Sequence, residues 1–356
     1  MYKYIILALT WNSLFVWGNT FQVPLASINV WSNNRLTVCK KRTLVSKVPN
    51  AKHILYTRGG SDNDDLTSSK TSPSLAGIAA LSFSTVTAIS YFVPGNAIYE
   101  PWHDLGASLL CAILGTVYVK LITTLSINGL SSRDTRKIIH TGSAPLFMLL
   151  WPLFSDDAST TTAAATTAAA SNFVIWPRIF AALVPFLNGI RLYIAGSRGA
   201  QGSEGELLKA VSRSGDKEEA LGGPFLYCGV LLGCILLFWR GSMSCIMALC
   251  TMAAGDGMAD IIGRRYGSSN KWSFSPDKSM AGTMAFIASS TIVSLGLALW
   301  FQHFGVLTLE NIPILGLELR ILVISVICAL VELLPLGDDN WTVPLSAALL
   351  AKLLFP

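Results

Sequence analysis

Ser244-Cys245-Ile246-Met247-Ala248-Leu249-Cys250-Thr251-Met252-Ala253-Ala254-Gly255-Asp256-Gly257-Met258-Ala259-Asp260-Ile261-Ile262 is an apolar run with two carboxylates near its end. It is long enough to cross hydrocarbon as a helix, which takes about 20 residues. Acids inside such a run are expensive, so they mark a pathway or a site. Asp256 and Asp260 stand four residues apart, which places both on one helix face, a turn apart. A basic, glycine-rich stretch follows at once: Gly263-Arg264-Arg265-Tyr266-Gly267, then Ser275-Pro276-Asp277-Lys278-Ser279. Paired acids leading into a basic loop are what a metal-bound polyphosphate requires.

The rest of the chain agrees with a membrane setting. Of 356 residues, 52% are hydrophobic and only 13% charged, and the mean hydropathy is +0.52. Soluble domains carry about 25% charged residues. Further apolar runs fall at 75–93, 105–127, 138–154, 173–195, 224–239, 281–304, 314–334 and 342–354. The expectation is an all-α, polytopic transmembrane helical bundle of about 7–9 helices. The domain comprises residues 75–356, preceded by a presequence at 1–60 and a polar linker at 61–74. Residues 156–172 are a low-complexity Ser/Thr/Ala linker, and no internal repeat is visible.

Alternating the runs across a membrane puts residues 128–137, 196–223 and 263–280 on one side, with Arg133, Arg136, Lys137, Arg213, Arg264, Arg265 and Lys278 among them. The opposite loops hold only Arg240, although Arg178 and Arg320 near that side soften the bias. Such asymmetry sets orientation. The net charge of +5 is no sign of nucleic acid, because much of it lies before residue 61, where no acidic residue occurs. That basic stretch follows the short apolar runs 5–9 and 14–17. The pair resembles the signal-then-transit presequence of algae with secondary plastids, with Phe21 after the first cleavage point. A plastid membrane is the expected location. Seven scattered cysteines, with no CxxC, argue against a disulfide framework or a zinc site.

Two hard oxygen donors on one face suit Mg²⁺, which takes one or two carboxylates and completes its shell with water and phosphate. Gly255, Gly257 and Gly263 would let backbone or a ligand come close. Arg264 and Arg265 can grip phosphate oxygens, and Lys278 offers a mobile point charge. Ser279 and the amides around Gly282 open the next helix, where free N–H groups cradle anions. Simpler roles compete: the acids could pair with Arg264 and Arg265, and the lysines could only anchor the loop by positive charge.

The string from Gly255 to Gly267, with Pro276-Asp277-Lys278-Ser279-Met280-Ala281-Gly282-Thr283, closely resembles the phytol kinases of plants and cyanobacteria and the related farnesol kinases. These polytopic polyprenol kinases are distantly similar to dolichol kinase. The resemblance implies phosphorylation of an isoprenoid alcohol held in the bilayer, most readily phytol for tocopherol and phylloquinone supply. It also implies CTP as the usual nucleoside triphosphate donor and a divalent metal, Mg²⁺. Under it, the loop to Gly267 joins the nucleotide side. Three further blocks accompany it. Arg136-Lys137-Ile138-Ile139-His140 matches an early Arg-Lys-x-x-His element, and its three polar residues are expected at the nucleotide. Glu218-Glu219-Ala220-Leu221-Gly222-Gly223-Pro224 matches a second, but Gly222 replaces a basic residue, so no role is assigned there. Val331-Glu332-Leu333-Leu334-Pro335 and Asp338-Asp339-Asn340 form the third, from which Glu332 and Asp339 could complete the metal site or cap the last helix.

Catalysis is therefore expected from Asp256, Asp260 and Lys278, with one aspartate free to act as base. Two other functions fit parts of the pattern. A cytidylyltransferase of the CDP-diacylglycerol synthase type has a similar layout, but its late Lys-Asp and His-Gly-Gly motif is absent here. An ion-coupled transporter would use Asp256, Asp260 and Glu332 as a relay, yet the basic loop and the lack of an inverted repeat count against it.

Overall fold

The computed structural model describes residues 75–92, 101–127, 132–155, 176–198, 221–309, 314–334 and 338–355. The presequence, the linkers at 61–74 and 156–172, and Glu218–Ala220 lie outside the described residues. Each apolar run is realised as helix: α1 (Leu75–Phe92), α2 (Pro101–Ile127), α3 (Ser132–Leu149), α4 (Trp176–Arg198), α5 (Gly223–Leu237), α6 (Met243–Cys250) continuing as α7 (Asp256–Tyr266), α8 (Met280–His303), α9 (Ile314–Leu333) and α10 (Asp339–Leu354). The fold is an all-α bundle. Four helical stretches, Pro101–Thr124, Trp176–Ser197, Met243–Tyr266 and Met280–His303, are long and apolar enough to cross a membrane.

Two boundaries differ from the sequence reading. α3 begins at Ser132, so Arg133, Arg136 and Lys137 stand on helix rather than in a loop. Their charge hid the start of α3, yet Arg133, Arg136, Lys137 and His140 recur at helical spacing and share one face. The loop after α7 also holds a small antiparallel hairpin, β1 (Lys271–Trp272) on β2 (Ser275–Ser279). No apolar periodicity announces strands this short.

Burial follows the bundle logic. Every residue of α6 is buried, as expected of a central helix apolar on all sides. Outward faces carry apolar stripes at i, i+4: Leu109, Ile113 and Val117 on α2, and Trp341, Leu345, Leu349 and Leu353 on α10. In water these would form large exposed patches; against lipid tails they are at rest. Trp102 and Trp176 are exposed at one end of the bundle, and Tyr266 and Trp341 at the other, the arrangement of two interfacial aromatic belts.

The end remote from the motif is closed by a polar knot. Arg240, 3% exposed, donates through Nη1 to the carbonyls of Trp151 and Phe154, both at 2.8 Å, and through Nη2 to Ser155 O at 2.6 Å. Buried Asp104 accepts the Ser155 amide at 2.8 Å. The knot ties the start of α2, the end of α3 and the turn between α5 and α6. Arg240 had counted only as a loop charge. Arg240→Ala takes a donor from all three carbonyls; Trp151 O keeps the Phe154 amide at 3.2 Å, and each buried carbonyl left without a partner costs about 1–3 kcal/mol. The variant should melt well below wild type in detergent while the surviving folded fraction keeps its helical circular-dichroism signal. A thermal midpoint equal to wild type would remove the structural role.

Candidate active site

The opposite end gathers the motifs. α3 enters there, α7 ends there, the hairpin leads into α8, and α9 hands over to α10. All of them line one cavity of about 1420 Å³. Among the described residues, Arg133, Arg136 and Lys137, Gly223, and the stretch from Gly263 to Ser279, which charge counting placed on one side of a membrane, thus meet at one end of the bundle.

Asp256 Oδ2 accepts a hydrogen bond from Lys137 Nζ at 2.8 Å and lies 3.3 Å from His140 Nε2. Asp260 is gripped by Arg264, through Nε at 3.0 Å and Nη2 at 2.9 Å, with Arg133 Nη2 at 3.6 Å on its other side. Arg264 also meets Asp134 at 2.8 Å. The pairing of Asp260 with Arg264 is therefore present, and α3 adds Arg133, Lys137 and His140 as carboxylate partners, where the sequence reading had expected Lys137 and His140 at the nucleotide and had counted Arg133 only as a loop charge.

A second cluster faces the first. Lys278 Nζ donates to Glu332 Oε1 at 2.6 Å and to Asp339 Oδ2 at 2.8 Å. Burial alone would lower the Lys278 ammonium, but the Glu332 and Asp339 carboxylates overrule it and hold the group well above the usual lysine value. Asp338, not Asp339, caps α10, its Oδ1 accepting the Asn340 amide at 2.9 Å. Asp339 stays turned to the lysine.

The helix before Asp256 contains a π turn, Thr251–Gly255. Such turns loosen the regular ladder and recur at functional sites. Here two of its carbonyls take side-chain donors: Met252 O accepts from His140 Nε2 at 3.0 Å, and Ala254 O accepts from Ser289 Oγ at 3.0 Å. His140 thereby links the π turn to the Asp256 carboxylate. α3 is itself opened beside His140, where Tyr227 Oη donates to His140 O at 3.0 Å and accepts the Ala144 amide at 2.9 Å. A side chain inserted in a helix ladder bends it, and Pro145 adds to the break. Tyr227 escaped the sequence reading; Pro145 inside an apolar run was the available signal.

Of the residues predicted for the site, Arg136, Lys137, His140, Asp256, Asp260, Gly263, Arg264, Lys278, Ser279, Gly282, Glu332 and Asp339 line the cavity. Gly255, Gly257, Arg265 and Gly267 are not among its lining residues. Arg265 is exposed. The three glycines serve helix contact instead. A Cβ on Gly255 would lie 2.5 Å from Ser290 Oγ and 2.9 Å from the Phe286 ring, and one on Gly257 would overlap the Thr141 hydroxyl. A Cβ on Gly267 would collide with Ser279 Oγ and the Gly263 carbonyl. The proposed anion cradle also changes character, because the Gly282 amide already donates to Ser279 Oγ at 3.1 Å as the cap of α8.

Gly257→Ala should consequently push α7 from α3 and cut activity about tenfold or more, since overpacking typically costs 1–3 kcal/mol. Adding Thr141→Gly should recover part of the loss. Initial rates of the single and double variants in membranes check this, and a double variant no better than Gly257→Ala would remove the steric explanation.

The donor set fits a magnesium ion in one sense only. Six carboxylates, those of Asp256, Asp260, Asp277, Glu332, Asp338 and Asp339, line the same cavity, but among the described residues no three acidic, histidine or cysteine groups converge as a protein cage. An ion held by one or two of them, with phosphate and water completing its shell, is the compatible form.

No protein-family model matches the chain, and no solved structure matches it. Curated proteins do. Phytol kinase 1, chloroplastic, of Arabidopsis thaliana is 35% identical over 259 residues, 71% of this chain and 77% of that protein. A probable phytol kinase, chloroplastic, of Triticum aestivum is 35% identical over 287 residues, 80% of this chain and 85% of that protein. Farnesol kinase, chloroplastic, of Arabidopsis thaliana is 37% identical over 223 residues, 62% of this chain and 65% of that protein, a little under two thirds of its length. An all-α bundle with one charged cavity and these relatives is a kinase whose acceptor is an alcohol group. The chain belongs to the phytol kinase and farnesol kinase family.

Proposed function

We propose that this chain transfers the γ-phosphoryl group of CTP to an isoprenoid alcohol in a plastid membrane, phytol above all, giving the prenyl monophosphate and CDP. One observation carries the reading: the cavity that holds the charged motifs continues without a break between apolar faces of α1, α2, α4 and α5, among them Leu114, Leu121, Val184 and Leu231. A hydroxyl at the charged end and a hydrocarbon tail along the rest describe a long-chain alcohol. The relatives are named for phytol and farnesol, and their names place them in chloroplasts.

Asp256, Asp260, Glu332 and Asp339 each face a cation in this structure, the last two sharing Lys278, a resting arrangement for groups that would receive a triphosphate. Lys137, Arg264 and Lys278 would turn from carboxylate to phosphate oxygens, keeping their charge at the transferring group. Asp256 and Asp260 would hold magnesium, which when bound neutralises phosphate charge. One of the two would instead serve as the base that takes the proton of the attacking hydroxyl, leaving the metal to the other. Phosphoryl transfer asks mainly for such positioning and electrostatics.

Membranes containing the protein, supplied with γ-labelled CTP and phytol, should yield labelled phytyl monophosphate. ATP, GTP and UTP in place of CTP test the donor, and farnesol tests the acceptor. A CDP-lipid with release of pyrophosphate, or no transfer to any alcohol, would overturn the reading.

A further inference from the structure

We propose that the alcohol's tail enters sideways from the bilayer between α1 and α2 and lies against Gly115, which sets the length of chain accepted; this rests on the alcohol kinase reading above. The cavity is deep along α3, with lining residues from Arg133 to Leu150. Leu150 lies ten residues, about 15 Å, beyond His140 at the helical rise, so the apolar arm has room for several isoprene units. The arm also reaches the outer surface. Leu81 on α1 and Val117 on α2 both line it, yet they are 66% and 53% exposed on the face that meets lipid. A wall residue that is also surface-exposed marks a mouth, and this mouth opens where membrane-dissolved alcohol would be found.

Gly115 sits within that wall, and a Cβ built on it meets nothing within 4 Å. Unlike Gly255 and Gly257, it admits no neighbouring helix. Gly115 is itself exposed, so the space beside it is the part of the cavity that opens at the mouth. It stands three residues, about 4.5 Å, deeper than Tyr118, whose hydroxyl donates to Ile138 O near the charged end at 2.8 Å, so an alcohol of a single isoprene unit ends beside it and a long one runs past it.

Gly115→Phe should therefore spare phosphorylation of the single-unit alcohol 3-methylbut-2-en-1-ol while lowering kcat/KM for phytol about tenfold or more, the discrimination a filled apolar pocket provides. Gly106→Phe is the control, because Gly106 is also on α2 with nothing within 4 Å but does not line the cavity; its chain-length profile should match wild type. A phytol analogue with a photoreactive group at the tail end should crosslink to peptides of α1 or α2, whether or not turnover occurs. Equal losses for the single-unit alcohol and phytol, an unchanged ratio, or crosslinking confined to other helices would each overturn the proposal. Failure of wild type to phosphorylate any isoprenoid alcohol would instead defeat the kinase reading, and the crosslink would still report where the tail lies.

Discussion

Asp256→Asn lowers alcohol phosphorylation by at least about 10²–10³-fold, the usual loss when one electrostatic contact to a transition state is removed. The substitution keeps the size of the side chain and removes its charge, so the packing of the π turn and α7 should survive. What is lost is the charged partner of Lys137 at 2.8 Å and of His140 at 3.3 Å, together with the metal ligand that the proposed mechanism assigns to Asp256. Asp260→Asn should behave alike, removing the carboxylate that Arg264 and Arg133 share and leaving Arg264 with Asp134. The measurement is initial rate in membranes at saturating Mg²⁺, with insertion and amount of protein checked by quantitative blot. Turnover within a few-fold of wild type for both variants would sink the assignment of this acid pair to catalysis.

Lys278→Ala should be nearly as damaging, about 10²–10³-fold in rate, whereas Lys271→Ala should be close to neutral. Both lysines line the cavity, so position alone does not separate them. Their partners do. Lys278 is clasped by Glu332, which is 4% exposed, and by Asp339, while Lys271 donates to the carbonyl of Asp277 at 3.2 Å on the exposed side of the hairpin. Removing Lys278 takes a charge from the phosphate and strands a buried carboxylate. Adding Glu332→Gln to Lys278→Ala tests the second effect: recovered thermal stability without recovered rate assigns the rate loss to the lysine itself. The raised value of Lys278 also fixes its part in the pH profile. A group raised on folding keeps its stabilisation below its unfolded value and loses it only as pH rises through the folded one. Near neutrality Lys278 stays charged, and any limb in the rate profile there belongs to another group. Equal and small losses for the two lysines would make Lys278 a topogenic charge.

The helices were legible because apolar runs long enough to span hydrocarbon leave few alternatives. The start of α3 was not, since a row of Arg133, Arg136 and Lys137 looks like loop until its spacing is followed to His140. Glycines were legible only as absences. Gly257 and Gly115 are equally bare in sequence, yet one is filled by Thr141 and the other faces open space. The ion pairs were beyond reach for a different reason. Lys137 meets Asp256 across 119 residues, and Lys278 meets Glu332 and Asp339 across 54 and 61. Such pairings exist only once the helices have been laid side by side. Charge counting nonetheless grouped Arg136, Lys137 and Lys278, which line one cavity, because helices that alternate in direction bring every second connection to the same end.

The π turn at Thr251–Gly255 sets a phase. In an α-helix each residue advances the face by about 100°, so a turn that holds one extra residue rotates everything after it relative to everything before. α6 presents itself to the buried centre of the bundle, and α7 presents Asp256 and Asp260 to the cavity. Both are satisfied at once only with that offset. Loss of a single residue from 251–255 would let a regular helix form and would swing both aspartates away from α3, although every side chain of the site remained in the chain. Substitutions there can be absorbed by repacking. A change in count cannot, and the segment is for that reason far less tolerant of deletion than of replacement.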